Sequence, residues 1–140
     1  MFTISKTIPI NILHAPSENP HLHIHSLRMR FTCQSKGLNK YGNVIDLLYQ
    51  IPLIRTFDNS NLNEMLELPK HDDVKQDVLP PHYIWIRDAI IEVHRKLGLG
   101  VLQPTLEIFA MILFELIDNC TKIEIFESNG LYCSYEGEIE

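Results

Sequence analysis

Hydrophobic and polar residues alternate near both ends of the chain, and this period of two predicts strands. Residues 2–14 are rich in Thr and Ile and predict one strand, with Pro9 at a bulge or an edge. The next strand is predicted within residues 21–34, where one face carries His21, His23, His25, Leu27, Met29 and Phe31. Residues 122–127 and 131–135 flank Asn129-Gly130, a strong hairpin signal. We therefore expect one pair of strands at each end of the chain.

The middle of the chain has helical spacing. One predicted helix face carries Val44, Leu47, Leu48 and Ile51. Pro52 is expected to kink or end that helix, and the polar, Asn-rich residues 57–71 predict a loop. A second helix is expected over residues 81–97, and a third, apolar almost all round, over 104–118. Two strands, three helices and two strands in this order predict an α+β fold with a four-stranded antiparallel sheet backed by helices.

Composition narrows the class of protein. A chain of 140 residues predicts a single domain, 1–140, with ordinary globular composition. The net charge of −6 argues against a nucleic-acid surface. No apolar run approaches the about 20 residues of a membrane span, so we expect no membrane partner. The 3 cysteines include no closely spaced pair, which favours a reduced, cytoplasmic chain.

Four of the 7 histidines lie in the first 25 residues, and three of them form a candidate metal site. His23 and His25 point the same way on a strand, about 6.5–7 Å apart, so their rings can converge on one ion. His14 ends the preceding strand and is placed to add a third nitrogen if the two strands pair antiparallel. Three neutral imidazoles and a water form a catalytic zinc arrangement. The alternative is a solvated strand face, but the same face continues as core residues, where a histidine needs a partner.

Several sequence blocks resemble, in order, the 6-pyruvoyltetrahydropterin synthase family, which includes the 6-carboxytetrahydropterin synthases of queuosine biosynthesis. The blocks are FTISKTIPINILHAP, LHIHSLRMRF, YGNVIDL, FDNSNLNE, PTLEIFAMIL and IEIFESNGLYCSYEGE. They span nearly the whole chain except about residues 66–103, which look like an insertion. The resemblance implies the tunnelling fold (T-fold), with sheets joined into a barrel. It also implies a homohexamer built as a dimer of trimers, with pterin pockets between subunits.

The resemblance also assigns roles to individual residues. The family's zinc ligands match His14, His23 and His25. Its pterin-anchoring glutamate matches Glu127, and its Pro-Thr-x-Glu stretch, which lines the pterin pocket, places Thr105 and Glu107 there. On this basis Glu127→Ala is expected to weaken pterin binding and to leave the metal in place. Asp46 matches the aspartate of the turn into the first helix and is expected to have a structural role.

Two departures concern proton transfer. The family's cysteine before His-x-His is absent from residues 17–22, where Glu18 is the local carboxylate. Asp58 matches the aspartate of the family's Asp-His pair, but Asn59 follows it, and an amide does not shuttle protons at neutral pH. Asp58 and Glu18 are therefore the candidate catalytic bases.

Two functional hypotheses follow from the resemblance. The leading one is a zinc-dependent pterin synthase of the lyase type, which converts 7,8-dihydroneopterin triphosphate into a 6-substituted tetrahydropterin. The alternative is a divergent relative that binds metal and pterin but has a different substrate or lacks the standard reaction.

Overall fold

The computed structural model describes residues 1–15, 23–71 and 81–137. Two long strands, β1 (Phe2–His14) and β2 (His23–Ser35), open the chain, and β4 (Cys120–Glu127) and β5 (Tyr132–Glu136) close it. Between them lie α1 (Leu47–Arg55), β3 (Ser60–Asn61), α2 (Leu62–Met65), a 3₁₀ helix (Leu68–His71), α3 (Pro81–Leu97) and α4 (Leu106–Leu116). The predicted α+β class is confirmed.

The sheet has five strands in the order β3-β1-β2-β4-β5. All neighbours are antiparallel except β1 and β3, which run parallel, so the prediction of four antiparallel strands missed one short strand. At Asn59 the backbone φ is 61°, and the backbone N–H of Asn59 donates to the backbone carbonyl of Asn11 at 2.7 Å. This left-handed turn brings Ser60 and Asn61 beside the end of β1, which local propensity alone does not reveal.

The prediction that residues 57–71 form a loop was wrong for most of the segment. Besides β3, it contains the short helix α2 and the 3₁₀ helix. Leu62 and Met65 on α2 are buried, and the side chain of Asn61 accepts from the amide of Glu64 as an N-cap. Burial of two apolar side chains therefore outweighs the polar composition that indicated a loop.

One face of the sheet packs under the helices and forms the core. On β2 the buried residues are Leu27, Met29, Phe31 and Cys33, which continue the face of His23 and His25 as the alternation predicted. Pro9 is tolerated because β3 reaches only Ile12 and Leu13, so β1 is an edge strand at Pro9.

The first helix is confirmed, and one residue of its predicted core face is wrong. Val44 is buried and Leu47 and Ile51 pack against the core, but Leu48 is 91% exposed. The remaining core residues of the helix are Gln50, Leu53 and Ile54. The helix also continues past Pro52. The N–H that proline lacks would bond the carbonyl of Leu48, and in this exposed first turn water can replace that bond. Asp46 caps the helix by accepting from the amide of Leu48 at 3.1 Å, which agrees with its predicted structural role.

The longer predicted helices are confirmed. The second has the predicted bounds of 81–97, and the third is α4, which is buried on most sides. Among the described residues, no helix is both long and apolar enough to cross a membrane.

The opposite face of the sheet holds an ion pair whose carboxylate is buried and whose guanidinium is partly exposed. Arg30 donates two hydrogen bonds to the carboxylate of Glu124, at 2.9 and 2.7 Å, and Tyr132 donates a third at 2.8 Å. The bonds from Arg30 are the main reason that the pKa of Glu124 lies below its usual value. Glu124 is thus an ionised, satisfied carboxylate on the face away from the helices.

Candidate metal centre

Three histidines meet where β1 ends and β2 begins. His14 lies directly opposite His23 in the antiparallel register, and His25 follows two residues later on the same face. The ring centroids are 4.4–4.6 Å apart, and one nitrogen from each ring lies within 4.8 Å of the others. The predicted ligand set is thus one cluster that can hold a metal ion.

The hydrogen bonds of the cluster leave ring nitrogens available. His14 Nδ1 contacts the carbonyl oxygen of Pro104 at 2.6 Å, and His25 Nδ1 contacts Glu127 Oε1. Both partners only accept, so each Nδ1 carries the proton and donates, which leaves the Nε2 lone pair free. In the described part of the chain, Nε2 of both rings is buried without a hydrogen-bond partner. Orphaned imidazole nitrogens oriented by a carbonyl and a carboxylate fit a bound zinc ion.

The environment also favours the neutral, metal-binding form of His14. Burial is the largest cause that lowers the pKa of His14, and the nearby His25 and His23 lower it further against the opposing hydrogen bond to Pro104. Because a metal binds the unprotonated ring, a lowered pKa extends metal binding to lower pH.

Glu127 bonds His25, in addition to the pterin contact that the family resemblance predicts. Glu127 is 9% exposed and lies on β4 opposite Leu27, two positions along β2 from His25. One carboxylate oxygen accepts the hydrogen bond from His25 Nδ1–H, so removal of the side chain disturbs a candidate metal ligand. We therefore expect Glu127→Ala to weaken metal binding, in contrast to the expectation from the resemblance that the metal stays in place.

Thr105 and Glu107 lie at the start of α4. Thr105 caps the helix by accepting from the amide of Ile108 at 3.3 Å, and it directly follows Pro104, the partner of His14. Glu107 is exposed in the first turn, and its charge adds to burial in raising the pKa of Cys133 on β5. Thr105 is thus the chain neighbour of the residue that contacts His14. Glu107 instead lies near enough to Cys133 on β5 to affect the pKa of that thiol. Their role in a pterin pocket stays a prediction.

Of the two candidate bases, the structure describes Asp58. Asp58 Oδ1 accepts from the backbone amide of Asn11 at 2.9 Å, which ties this carboxylate to the edge of β1. Asn11 precedes His14 by three residues, about 10 Å along a strand. Glu18 lies outside the described residues.

Sequence reasoning missed two groups that orient the cluster. One is the carbonyl of Pro104, which no side-chain pattern can reveal. The other is Asn63, whose amide accepts from the Ala15 backbone N–H at 2.8 Å and donates to the Ala15 carbonyl at 3.1 Å. This pair of bonds clamps the residue after His14. The available signal was Leu62-Asn63, which precedes the last residue of the FDNSNLNE block.

Comparison with known families gives one match over almost the whole chain. Residues 3–138 match the family described as 6-pyruvoyl tetrahydropterin synthase. The chain belongs to this family. No match was found among curated proteins.

Solved structures show the same fold at low sequence identity. The 6-pyruvoyl tetrahydropterin synthase of Caenorhabditis elegans is 15% identical, with a TM-score of 0.55 over 98% of this chain and 96% of that one. An uncharacterized protein from Wolinella succinogenes is 19% identical, with a TM-score of 0.57 over 98% of both chains. This member of the 6-pyruvoyl tetrahydropterin synthase family thus has the family fold, as predicted.

Proposed function

We propose that the protein is a zinc-dependent pterin synthase of the lyase type, acting on 7,8-dihydroneopterin triphosphate to give a 6-substituted tetrahydropterin. The observation that carries the proposal is the cluster of His14, His23 and His25, with buried, unpartnered Nε2 atoms on two rings, in a chain of this family.

In this proposal each residue of the site has its own role. The three imidazoles would hold zinc, which when bound supplies a Lewis acid for the oxygens of the substrate side chain. Glu127 orients His25 through one oxygen, and its other oxygen would accept N–H bonds from the guanidine-like edge of the pterin. Thr105 and Glu107 would line the same pocket.

Proton transfer is assigned to Asp58 or Glu18. Asp58 keeps one carboxylate oxygen on the amide of Asn11, so its other oxygen would be the base. Glu18 belongs to the segment between the strands that carry the histidines, and it is proposed as a base on sequence position alone.

The alternative function is that of a metal- and pterin-binding relative with another substrate or without the standard reaction. One observation favours it specifically: the residue after Asp58 is Asn59, an exposed amide held in a left-handed turn. Neither an amide nor the segment 17–22, which lacks cysteine, supplies the family's usual proton-transfer groups.

One experiment separates the two functions. The zinc-loaded and metal-free proteins are incubated with 7,8-dihydroneopterin triphosphate, and triphosphate release and pterin products are followed by chromatography. Zinc-dependent turnover is the result expected of the synthase. Pterin binding without turnover would establish the alternative instead.

Single substitutions test whether zinc binding depends on the histidine cluster. His14→Ala should lose bound zinc, measured by elemental analysis after dialysis. His94→Ala is the matched control, because His94 lies on α3 and its Nδ1 bonds the carbonyl of Leu99 at 2.8 Å. Equal zinc content in His14→Ala and the wild type would contradict the ligand assignment.

Further proposals rest on the family resemblance. We propose a homohexamer built as a dimer of trimers, a cytoplasmic location, a single domain over 1–140 and an insertion at about 66–103. Sedimentation analysis tests the assembly directly, because a hexamer and a monomer of 16.3 kDa subunits differ sixfold in mass.

A further inference from the structure

Two cysteines face each other across neighbouring strands, although they are distant in the sequence. Cys33 on β2 is the register partner of Cys120, the first residue of β4, and both thiols are free. They are the last residues of the β2–β4 pairing and lie just beyond a β-bulge. The preceding pair is Thr32 with Lys122, so Thr121 is the extra residue of the bulge. The folded sheet thus brings together two thiols that the sequence keeps apart.

The backbone hydrogen bonds beside this pair determine how close the two strands come. The next bond along the strands runs from the N–H of Gln34 to the carbonyl of Asn119 at 3.0 Å, which makes the cysteines a non-hydrogen-bonded pair. Residues in such a pair have Cα atoms about 4.5 Å apart, and their side chains are closer than in a hydrogen-bonded pair. A disulfide needs Cα atoms about 4.4–6.8 Å apart. The register therefore places Cys33 and Cys120 within range of a disulfide.

The two thiols also interact with each other. A hydrogen bond between them is the largest cause that lowers the pKa of Cys33, and it is also the largest cause that raises the pKa of Cys120. The thiol that keeps its proton thus stabilises the thiolate beside it. A thiolate is the form of cysteine that attacks a disulfide, so this contact favours thiol–disulfide exchange.

Cys120 is the member of the pair that a small reagent reaches first. Cys33 is completely buried, whereas Cys120 is partly exposed and lines a cavity of about 500 Å³. Phe114 and Lys122 belong to the same cavity lining. A reagent that reacts at Cys120 is therefore placed beside Cys33, which solvent does not reach directly.

We propose that Cys33 and Cys120 are a redox-sensitive pair, which a low-molecular-weight disulfide converts reversibly into an intrachain disulfide between β2 and β4. The site is independent of the proposed pterin chemistry.

The reaction takes place in two exchange steps. The proton of Cys120 passes to Cys33 along their hydrogen bond, and the Cys120 thiolate attacks one sulfur of the reagent. The S–S bond of the reagent breaks, and one half leaves as a thiolate that takes a proton from water. Cys33 then gives up its proton and attacks Cys120 Sγ, which displaces the other half as a thiol. The two protein sulfurs together lose two electrons, and the reagent is reduced to two thiols.

The expected consequence is greater resistance to unfolding with an unchanged metal centre. The bond closes a loop that contains every helix in the described part of the chain, and long loops gain most from a cross-link. His25 lies eight residues from Cys33 along β2, about 26 Å away. We therefore expect the oxidised protein to bind zinc like the reduced protein.

Mass spectrometry tests the proposal on the full-length protein. The protein is reduced, freed of reductant and incubated, folded and dilute, with 2-hydroxyethyl disulfide at about pH 8, near the ordinary pKa of a cysteine thiol. The remaining thiols are then alkylated in denaturant. We expect the loss of two hydrogen atoms, a linked Cys33–Cys120 peptide and alkylation of Cys133 alone, all reversed by dithiothreitol. Three unreacted thiols, a lasting mixed disulfide on Cys120 or a disulfide-linked dimer would overturn the proposal.

Variants test which cysteines react. Cys133→Ser is the matched control, because Cys133 pairs with Ile125, five residues and about 16 Å along β4 from Cys120. It should form the same bond as the wild type. Cys120→Ser should form no intrachain disulfide, and Cys120→Ala replaces it if circular dichroism shows that the serine variant does not fold. An intrachain disulfide in either folded variant would refute the assigned pair.

Thermal unfolding measures the consequence of the bond. The midpoint of the oxidised wild type should exceed that of the reduced wild type by at least about 5 °C. Cys120→Ser treated with the same reagent should show no such rise. Equal midpoints for the oxidised and reduced wild type would contradict the expected stabilisation.

Discussion

Replacement of Glu127 should weaken metal binding as well as pterin binding. The Glu127 carboxylate is the acceptor that the structure gives to His25 Nδ1, and it is almost completely buried. Without it, the His25 ring loses the bond that keeps its proton on Nδ1 and its Nε2 towards the cluster. The ring then samples other orientations and the other tautomer, both of which compete with metal binding.

The size of the effect follows from the type of contact. Loss of an outer-shell partner typically weakens a metal site by about 10–100-fold, which corresponds to about 1.4–2.8 kcal/mol. We expect Glu127→Ala to fall in this range. Glu127→Gln retains a carbonyl oxygen that can accept the same bond, but a neutral acceptor is about half as strong as a charged one. Its loss of zinc affinity should therefore be smaller than that of Glu127→Ala.

The assay is competition for zinc between the protein and a chromophoric chelator, with no pterin present. This readout does not depend on turnover, so it is valid for either proposed function. Glu124→Gln is the matched control, because Glu124 is also buried on β4 but faces the opposite side of the sheet. It should bind zinc like the wild type.

The reasoning would be refuted by a folded Glu127→Ala whose zinc affinity lies within twofold of the wild type. In that case the carboxylate would not orient His25 in solution. If Glu124→Gln lost as much affinity as Glu127→Ala, the effect would come from general destabilisation of β4.

Three further predictions concern stability and the cluster. Because the folded state lowers the pKa of Glu124, its ionised form should stabilise the fold above pH 4.5, and this contribution should disappear as the pH falls through the lowered pKa. Glu124→Gln should accordingly be about 1–3 kcal/mol less stable at pH 7, with a smaller difference in acid, measured by urea unfolding. Leu53→Ala should lower the free energy of unfolding by about 2–5 kcal/mol, whereas Leu48→Ala on the same helix should change it by less than about 0.5 kcal/mol. Asn63→Ala should release Ala15 and reduce zinc affinity several-fold in the chelator assay.

Each of these predictions has a contrary result. A pH-independent difference for Glu124→Gln would mean that its charge is not what stabilises the sheet. Equal effects of the two leucine substitutions would contradict the observed orientation of α1. Unchanged zinc affinity in Asn63→Ala would show that the clamp on Ala15 does not position His14.

Local patterns in the sequence determined much of the fold. Alternation within residues 21–34 predicted a strand and the face that it buries, because side chains on a strand point to opposite sides in turn. The Thr- and Ile-rich residues 2–14 predicted the strand that pairs with it. Asn129-Gly130 specified the closing hairpin for a similar local reason. The histidine spacing likewise predicted a cluster once the first two strands were taken as antiparallel.

Tertiary structure alone decided the remaining features. The edges of the core face of α1 depend on which side of the helix is covered, and the periodicity included Leu48, which is exposed, and left out the buried Leu53 and Ile54. The partners of the histidines are just as nonlocal: Pro104 and Glu127 lie 90 and 102 residues away from His14 and His25. Their contacts depend on the position of α4 and the pairing of β2 with β4, which no short segment encodes. The sequence therefore determined which residues could form a metal site, and the packed sheet and helix decided how those residues are oriented.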